Sequence, residues 1–237
     1  MIKAAIADYL DTQGLKLPAD EVHMACLTAQ TVINMAAAEI EHSLLWYGAE
    51  DGITLADGLP ENPDNHALLR QLYLALDSLY SRCADTDAAV ERAAIYLLLP
   101  ANAPQYGGQL LRLVAQGQPL EVLLPVDEAA CWHHIASRSA ETGWLNQVDD
   151  VAQWLALGEL QGEQHRRSHS QLALPVYGQD GRVLGVVYAE AARPNAFDND
   201  NLAQWVGLAL ALLPLLQQLH SQWQPPPQPS TEENHDQ

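Results

Sequence analysis

The stretch "PVYGQDGRVLGVVYAE", residues 175–190, constrains the fold more than any other part of the chain. Two apolar runs flank Asp180-Gly181, and Asp-Gly readily adopts the positive φ angles of a tight hairpin turn. Residues 170–177 and 182–191 are therefore read as two antiparallel strands. Gly185 interrupts the second run, and a glycine inside a strand marks close approach of another backbone or of a ligand.

The surrounding sequence is mostly Ala/Leu-rich, acidic and helical in pattern. From Asp20 the positions Val22, Cys26, Ala29, Ile33, Ala36, Ile40, Leu44 and Tyr47 recur at spacings of three and four, which predicts a helix over 20–48. It is apolar over more than one stripe, so burial in the core or against a second subunit is expected. The segment 49–65 is dense in Gly, Pro, Asn and Asp and reads as a loop. A second helix follows over 66–84, with Leu69, Leu72, Leu76, Leu79 and Cys83 as its seam. "AAIYLLLP" (93–100) and "QLLRLVAQG" (109–117) read as a strand pair. Asp127 begins a helix over 127–143, "WLNQV" is a short strand, and Asp149 or Asp150 caps a helix beginning at Val151. "PNAFDNDN" (194–201) is a polar turn before a final helix that runs to about residue 221.

Composition excludes several classes of function. Among 237 residues, 11 Lys and Arg stand against 30 Asp and Glu, a formal charge of −19. Such a chain repels phosphate backbones and anionic lipid, so nucleic acid and membrane surfaces are excluded as default partners in favour of a basic protein or a small ligand. Three scattered cysteines, no CxxC pair and no signal-like N-terminus imply a reduced, cytoplasmic protein. The two most apolar stretches, 24–40 and 202–219, are too polar or too short for a span of roughly 20 apolar residues.

The order of elements, and above all "SHSQLALPVYGQDGRVLGVVYAEAARPNAFDNDNLAQWVGLALALL", resembles the GAF domain family. Pro175, Gly181, Gly185, Phe197 and Asp200 stand where that family's pattern has its proline, turn glycine, strand glycine, aromatic and acidic positions. The resemblance implies an α+β fold, a GAF-like antiparallel β-sheet flanked by helices. It divides the chain into an N-terminal helical extension and loop (1–65), a GAF-like domain (66–221) and a disordered Pro-rich tail (222–237). It also implies a sensory or regulatory module that binds a small molecule, forms a homodimer through the first and last helices, and acts on a regulatory protein partner. A degenerate GAF domain serving as an assembly scaffold is the alternative.

Three sharper readings within that family fit poorly. "NAFDNDN" holds Asn195 and Phe197 but has Ala196 where cyclic-nucleotide binders have Lys. "ELQGEQHRRSHS" contains no Cys for covalent bilin attachment. Cys26, Cys83 and Cys131 fall on three separate predicted helices, unlike the clustered cysteines of free-methionine-sulfoxide reductases.

The candidate ligand-binding residues are Trp132, His134, Trp144, Trp154, Arg167, Tyr188 and Glu190. The three Trp lie in the helical insert that closes over the sheet in the GAF family. They either line a pocket or fill the gap between insert and sheet. Arg166 and Arg167 lead into a strand and either meet an anionic ligand or neutralise neighbouring carboxylates, the second being preferred. Tyr188 and Glu190 share one strand face under the period of two. In "CWHH", Cys131 and His134 stand at i, i+3 and offer at most half of a metal site, so a redox or metal-responsive module is a third reading. His23 and Cys26 repeat that spacing but read as core residues. The residues name no cofactor. Acyl-transfer, phosphate-binding and zinc-hydrolase motifs are all missing, so an enzyme is not expected.

Overall fold

A computed structural model describes residues 2–48, 54–84, 89–100 and 108–223. Residues 49–53 of the loop expected over 49–65, and residues 224–237 of the tail expected over 222–237, lie outside the described residues.

The two expected hairpins are the centre of a single antiparallel sheet. β1 (Val90–Leu98) pairs with β2 (Gln109–Gly117), and β5 (Ser170–Tyr177) pairs with β6 (Val183–Ala191). β1 and β6 then pair with each other, and two short edge strands, β3 (Leu123–Pro125) and β4 (Asn146–Val148), complete the order β3-β2-β1-β6-β5-β4. Gly185 explains the central pairing. A Cβ there would lie 2.2 Å from the backbone oxygen of Tyr96, so its close neighbour is strand β1 rather than a ligand. At the hairpin tip only Gly181 adopts a positive φ (77°), and the Gly178 amide donates to the Arg182 carbonyl across a loop of five residues.

Both faces of the sheet are covered, because alternate residues of its inner strands are apolar on both sides. Ala93, Ile95 and Leu97 of β1, with Val187 and Ala189 of β6, face one core. That core also takes α1 (Ile2–Thr12), α2 (Ala19–Asn34), α4 (Pro63–Ala84) and α8 (Asn199–Gln222). Helices N-terminal to residue 66 therefore share the apolar core of the sheet. Ala94, Tyr96, Val186 and Tyr188 face the opposite core, under an insert made of α5 (Ala130–His133), α6 (Ile135–Thr142) and α7 (Val151–Leu157).

Several elements depart from expectation. α1 forms on a thin apolar stripe of Ile6, Tyr9 and Leu10. The Tyr9 hydroxyl donates to the Pro175 carbonyl at 3.0 Å, beyond the part of β5 that β4 covers. Proline has no N–H to leave unpaired, so this contact completes the exposed edge. The helix expected over 20–48 ends at Asn34, and the chain turns so that Leu45 of α3 (His42–Leu45) and Trp46 enter the core. The helix expected over 127–143 is broken at His134, whose φ of −145° and ψ of 114° are extended. Asp127 accepts the Ala130 amide at 2.7 Å, and Asp150 caps α7 by accepting the Gln153 amide. Phe197 is buried with its ring edge-on to Trp205 of α8, which pins the polar turn to that helix.

By length and composition α8 could cross a membrane, but its apolar side chains are buried against α2, α4 and the sheet. Gly207 permits the close approach of α2, since a Cβ there would meet the Ala25 Cβ at 2.5 Å and the Cys26 amide at 2.7 Å. Trp223, beyond the end of α8, is buried on Gly58.

Gly185→Ala and Gly207→Ala should each destabilise the fold by about 2 kcal/mol or more, because both force backbone apart in a packed core. Chemical denaturation measures this, with Gly48→Ala as a near-neutral control because nothing lies within 4 Å of a Cβ there.

Candidate functional site

Glu190 lies on β6 with 1% of its surface exposed. The sheet register sets it between Arg92 of β1 and Gln171 of β5. A carboxylate this deep in a fold must be paired and hydrogen-bonded. The Tyr188 hydroxyl donates to its Oε1 at 2.8 Å, and Arg92 approaches its Oε2 at 3.5 Å. The main partner is Arg167, whose Nε lies 3.0 Å from both oxygens and whose Nη2 donates to Oε1 at 2.7 Å.

Arg167 ends a 3-10 turn, Glu163–Arg167, that leads directly into β5. Its other edge is also fully used. Nη1 and Nη2 donate to the two oxygens of Glu121 at 3.0 Å each, from the connection between β2 and β3. One guanidinium thus forks onto two carboxylates, an arrangement that lysine cannot reproduce.

His134, His165 and Gln164 border the cluster with Ile135 and Leu124, around a cavity of about 10 Å³. That is room for one water molecule at most. His165 is buried. Gln171 donates its amide to the Ser168 hydroxyl and so turns its carbonyl oxygen to His165 Nδ1, 3.1 Å away, which carries the proton.

The electrostatics follow from burial and pairing. Desolvation opposes the charge of Arg167, but its bonds to Glu190 and Glu121 outweigh that and raise its pKa. Burial pushes the Glu121 carboxyl up, and the hydrogen bonds and charge of Arg167 more than reverse this, leaving it below its ordinary value. Tyr188 is raised well above the ordinary phenol by burial and by the facing Glu190 carboxylate. Burial lowers both His134 and His165, so both are neutral at pH 7.

Of the expected site residues, the structure brings together His134, Arg167, Tyr188 and Glu190. The tryptophans do not join them. Trp132 is 42% exposed and lies against the Arg138 guanidinium, 5.4 Å from its carbon to the ring centre. Trp144 is 56% exposed beyond α6, on the cleft that also holds Tyr177. Only Trp154 packs against the insert core, half-buried. Of the insert tryptophans, only Trp154 takes one of the two expected roles, filling the gap between insert and sheet; Trp132 and Trp144 lie away from the Arg167 cluster, because α5 is a single turn whose apolar anchor is Ala130 rather than Trp132. Arg166 points outward to Glu163, whereas Arg167 neutralises carboxylates.

Sequence reading missed Glu121, His165 and Gln171. The alternation along β5 places Gln171 on the face of Ala173, but "PLEVLLP" gives no sign that Glu121 reaches Arg167.

Cys131 and His134 do not share a helix face, because the helix breaks between them. Among the described residues, no group of three or more His, Cys, Asp or Glu side chains converges as metal ligands. Cys26 and Cys83 are buried thiols and Cys131 is half-buried; burial raises all three, Cys26 to about 11.

No protein-family model matches the sequence, and no curated protein is similar to it. Solved structures are. A protein of Burkholderia vietnamiensis described as a GAF sensor superposes with a TM-score of 0.55 at 15% identity, over 86% of this chain and 98% of its own. The GAF domain of an Acinetobacter phosphoenolpyruvate-protein phosphotransferase gives 0.50 at 16%, over 84% and 95%. The chain has a GAF-like fold. Identities this low show the GAF fold and nothing finer. The type II free methionine-R-sulfoxide reductase of Thermoplasma acidophilum also shares it, with a TM-score of 0.50 at 14% identity, over 64% of this chain and 95% of its own. This corrects the expectation that the chain is not an enzyme. The GAF fold carries catalysis as well as sensing, and a lack of familiar short motifs does not decide between them.

Two outcomes test this geometry. Arg167→Ala leaves Glu190 buried without its main partner and should cost about 3 kcal/mol in urea denaturation, whereas Arg166→Ala should stay within about 0.5 kcal/mol. Acid should also weaken the fold. His134 and His165 have lowered pKa values when folded, so the unfolded chain binds more protons as pH falls through about 6.5. Their contribution is complete above that pH and declines below it. Comparison of urea midpoints at pH 7.5 and 5.5 should show a loss that His134→Gln reduces.

Proposed function

We propose that the chain is a regulatory module that binds a small molecule between the insert and the sheet, at the Arg167–Glu190 cluster. The observation that carries this reading is the paired charge itself. Arg167 is fixed at its inner edge by a carboxylate that cannot leave the core, so its outer Nη edge, which Glu121 occupies in this structure, is held in position for an anionic group at the mouth of the site. Cys26, Cys83 and Cys131 are thiols rather than disulfides, which suits a reducing cytoplasm.

A second reading has its own support. The cavity of about 10 Å³ is nearly filled, as a scaffold that needs no ligand would have it. In this reading the chain works by association. α8 is buried within the chain over most of its length, so the homodimer we propose uses the outer row of α2, where Met24 is 62% exposed beside Leu27, with Met35 just past the helix end. The formal charge of −19 favours a basic protein as the further, regulatory partner.

Thermal-shift screening of a metabolite library separates the two. The binding reading expects compounds that raise the unfolding temperature of the wild type and lose that effect in Arg167→Lys, which keeps the charge but not the fork. A library without any stabilising compound would contradict it. For association, light scattering should give a dimer that Met24→Glu or Leu27→Glu converts to a monomer.

A further inference from the structure

The two carboxylates on Arg167 are not equivalent. Glu190 is on an inner strand, 1% exposed, with Tyr188 and Arg92 as further partners. Removing it from Arg167 would strand a charge in the core. Glu121 comes from a connection at the surface, and its side chain is 32% exposed. The backbone of that connection is held independently of the side chain. The Tyr96 hydroxyl donates to the Glu121 carbonyl at 2.9 Å, and Arg112 donates to the Leu120 carbonyl. The Glu121 carboxylate can therefore rotate into water while the chain that carries it stays in place.

We propose that Glu121 is a built-in stand-in for the ligand, and that the site takes a small carboxylate which displaces Glu121 from the outer edge of Arg167. This rests on the small-molecule reading above and names the ligand's chemistry. Beyond its Cα, the Glu121 side chain has the shape of propionate, and it occupies a seat bordered by His134, Gln164, Ile135 and Leu124. With Glu121 swung out, that seat is open to a molecule of the same size, and the existing cavity adds room for about one more heavy atom. The fork of Nη1 and Nη2 selects a planar carboxylate. Because His134 and His165 are neutral at pH 7, the arriving carboxylate makes no second ionic contact there. The exchange conserves charge at Arg167 and delivers the Glu121 charge to the surface beside β3, a local electrostatic change of the kind that a regulatory protein partner reads. A tethered carboxylate competes at an effective concentration on the order of millimolar, so the wild type binds such ligands weakly until they exceed that level.

Chemical rescue tests this. Glu121→Ala should unfold at a lower temperature than the wild type. Propionate, at a few times its Kd for the variant, should restore about 2–4 °C. Propionamide, or sodium chloride at equal ionic strength, should restore nothing. The wild type should need more propionate for the same shift, by a factor of one plus the ratio of the tethered carboxylate's effective concentration to propionate's Kd for the variant. If Glu121→Ala proves too unstable to compare, Glu121→Gln keeps the side-chain shape without the charge and should show the same selective rescue. A variant that responds to propionate no more than the wild type overturns the proposal. If the metabolite screen nevertheless finds a stabilising compound without a carboxylate, only the ligand class fails; if it finds none, the binding reading fails with it.

Discussion

A carboxylate buried in the middle of a sheet dictates most of what surrounds it. Glu190 occupies a position on β6 where an apolar residue would satisfy the alternation, and its charge has to be met from inside the fold. Arg167 meets it from the turn before β5, Tyr188 from two residues earlier on the same strand face, and Arg92 from the neighbouring strand. Those three come from different parts of the sequence, so the pairing ties the insert's exit, the central hairpin and β1 into one arrangement. Replacing such a pair by apolar residues is often harmless to stability, which makes its presence a reason to look for a role beyond holding the fold.

Backbone proximity is the second constraint, and it acts on the opposite side of the same strand pair. Gly185 lets β1 approach β6, and Gly207 lets α2 approach α8. With those two contacts made, the sheet is enclosed by helices on one face and by the insert on the other. The Arg167 cluster then sits at one end of the insert–sheet layer. Its inner carboxylate is sealed by the sheet, and its outer one reaches solvent through the β2–β3 connection. Rigid support beneath and a movable group above are the combination a responsive site requires.

Much of the fold is legible in the sequence because the relevant signals are local. Asp180-Gly181 between Val-rich runs, the Gly185 interruption and the Asp198 cap of α8 each act over a few residues. Tertiary demands that carry no local mark are not legible. No Gly or Pro stands where α2 ends at Asn34, and the break exists because Leu45 and Trp46 are needed in the core. The site divides in the same way. Tyr188 and Glu190 follow from strand alternation, and Arg167 follows from a cationic residue leading into a strand in an acidic chain. Glu121 and His165 reach the cluster through turns whose geometry no periodicity encodes. The tryptophans misled because aromatic residues suit pocket walls and exposed surfaces alike, and only the packing of α5 and α6 separates the two. The GAF-like fold itself leaves open whether the module senses or catalyses, so chemistry at Arg167 has to be established on this chain.

The central claim is that Arg167 has one permanent edge and one exchangeable edge. Side-chain ¹H–¹⁵N NMR of the guanidinium during a propionate titration addresses this at the atoms concerned. The Nε–H signal, locked to Glu190, should persist unchanged, while the Nη signals move as Glu121 is replaced. Movement of both sets together, or of neither at propionate concentrations well above millimolar, would contradict the account.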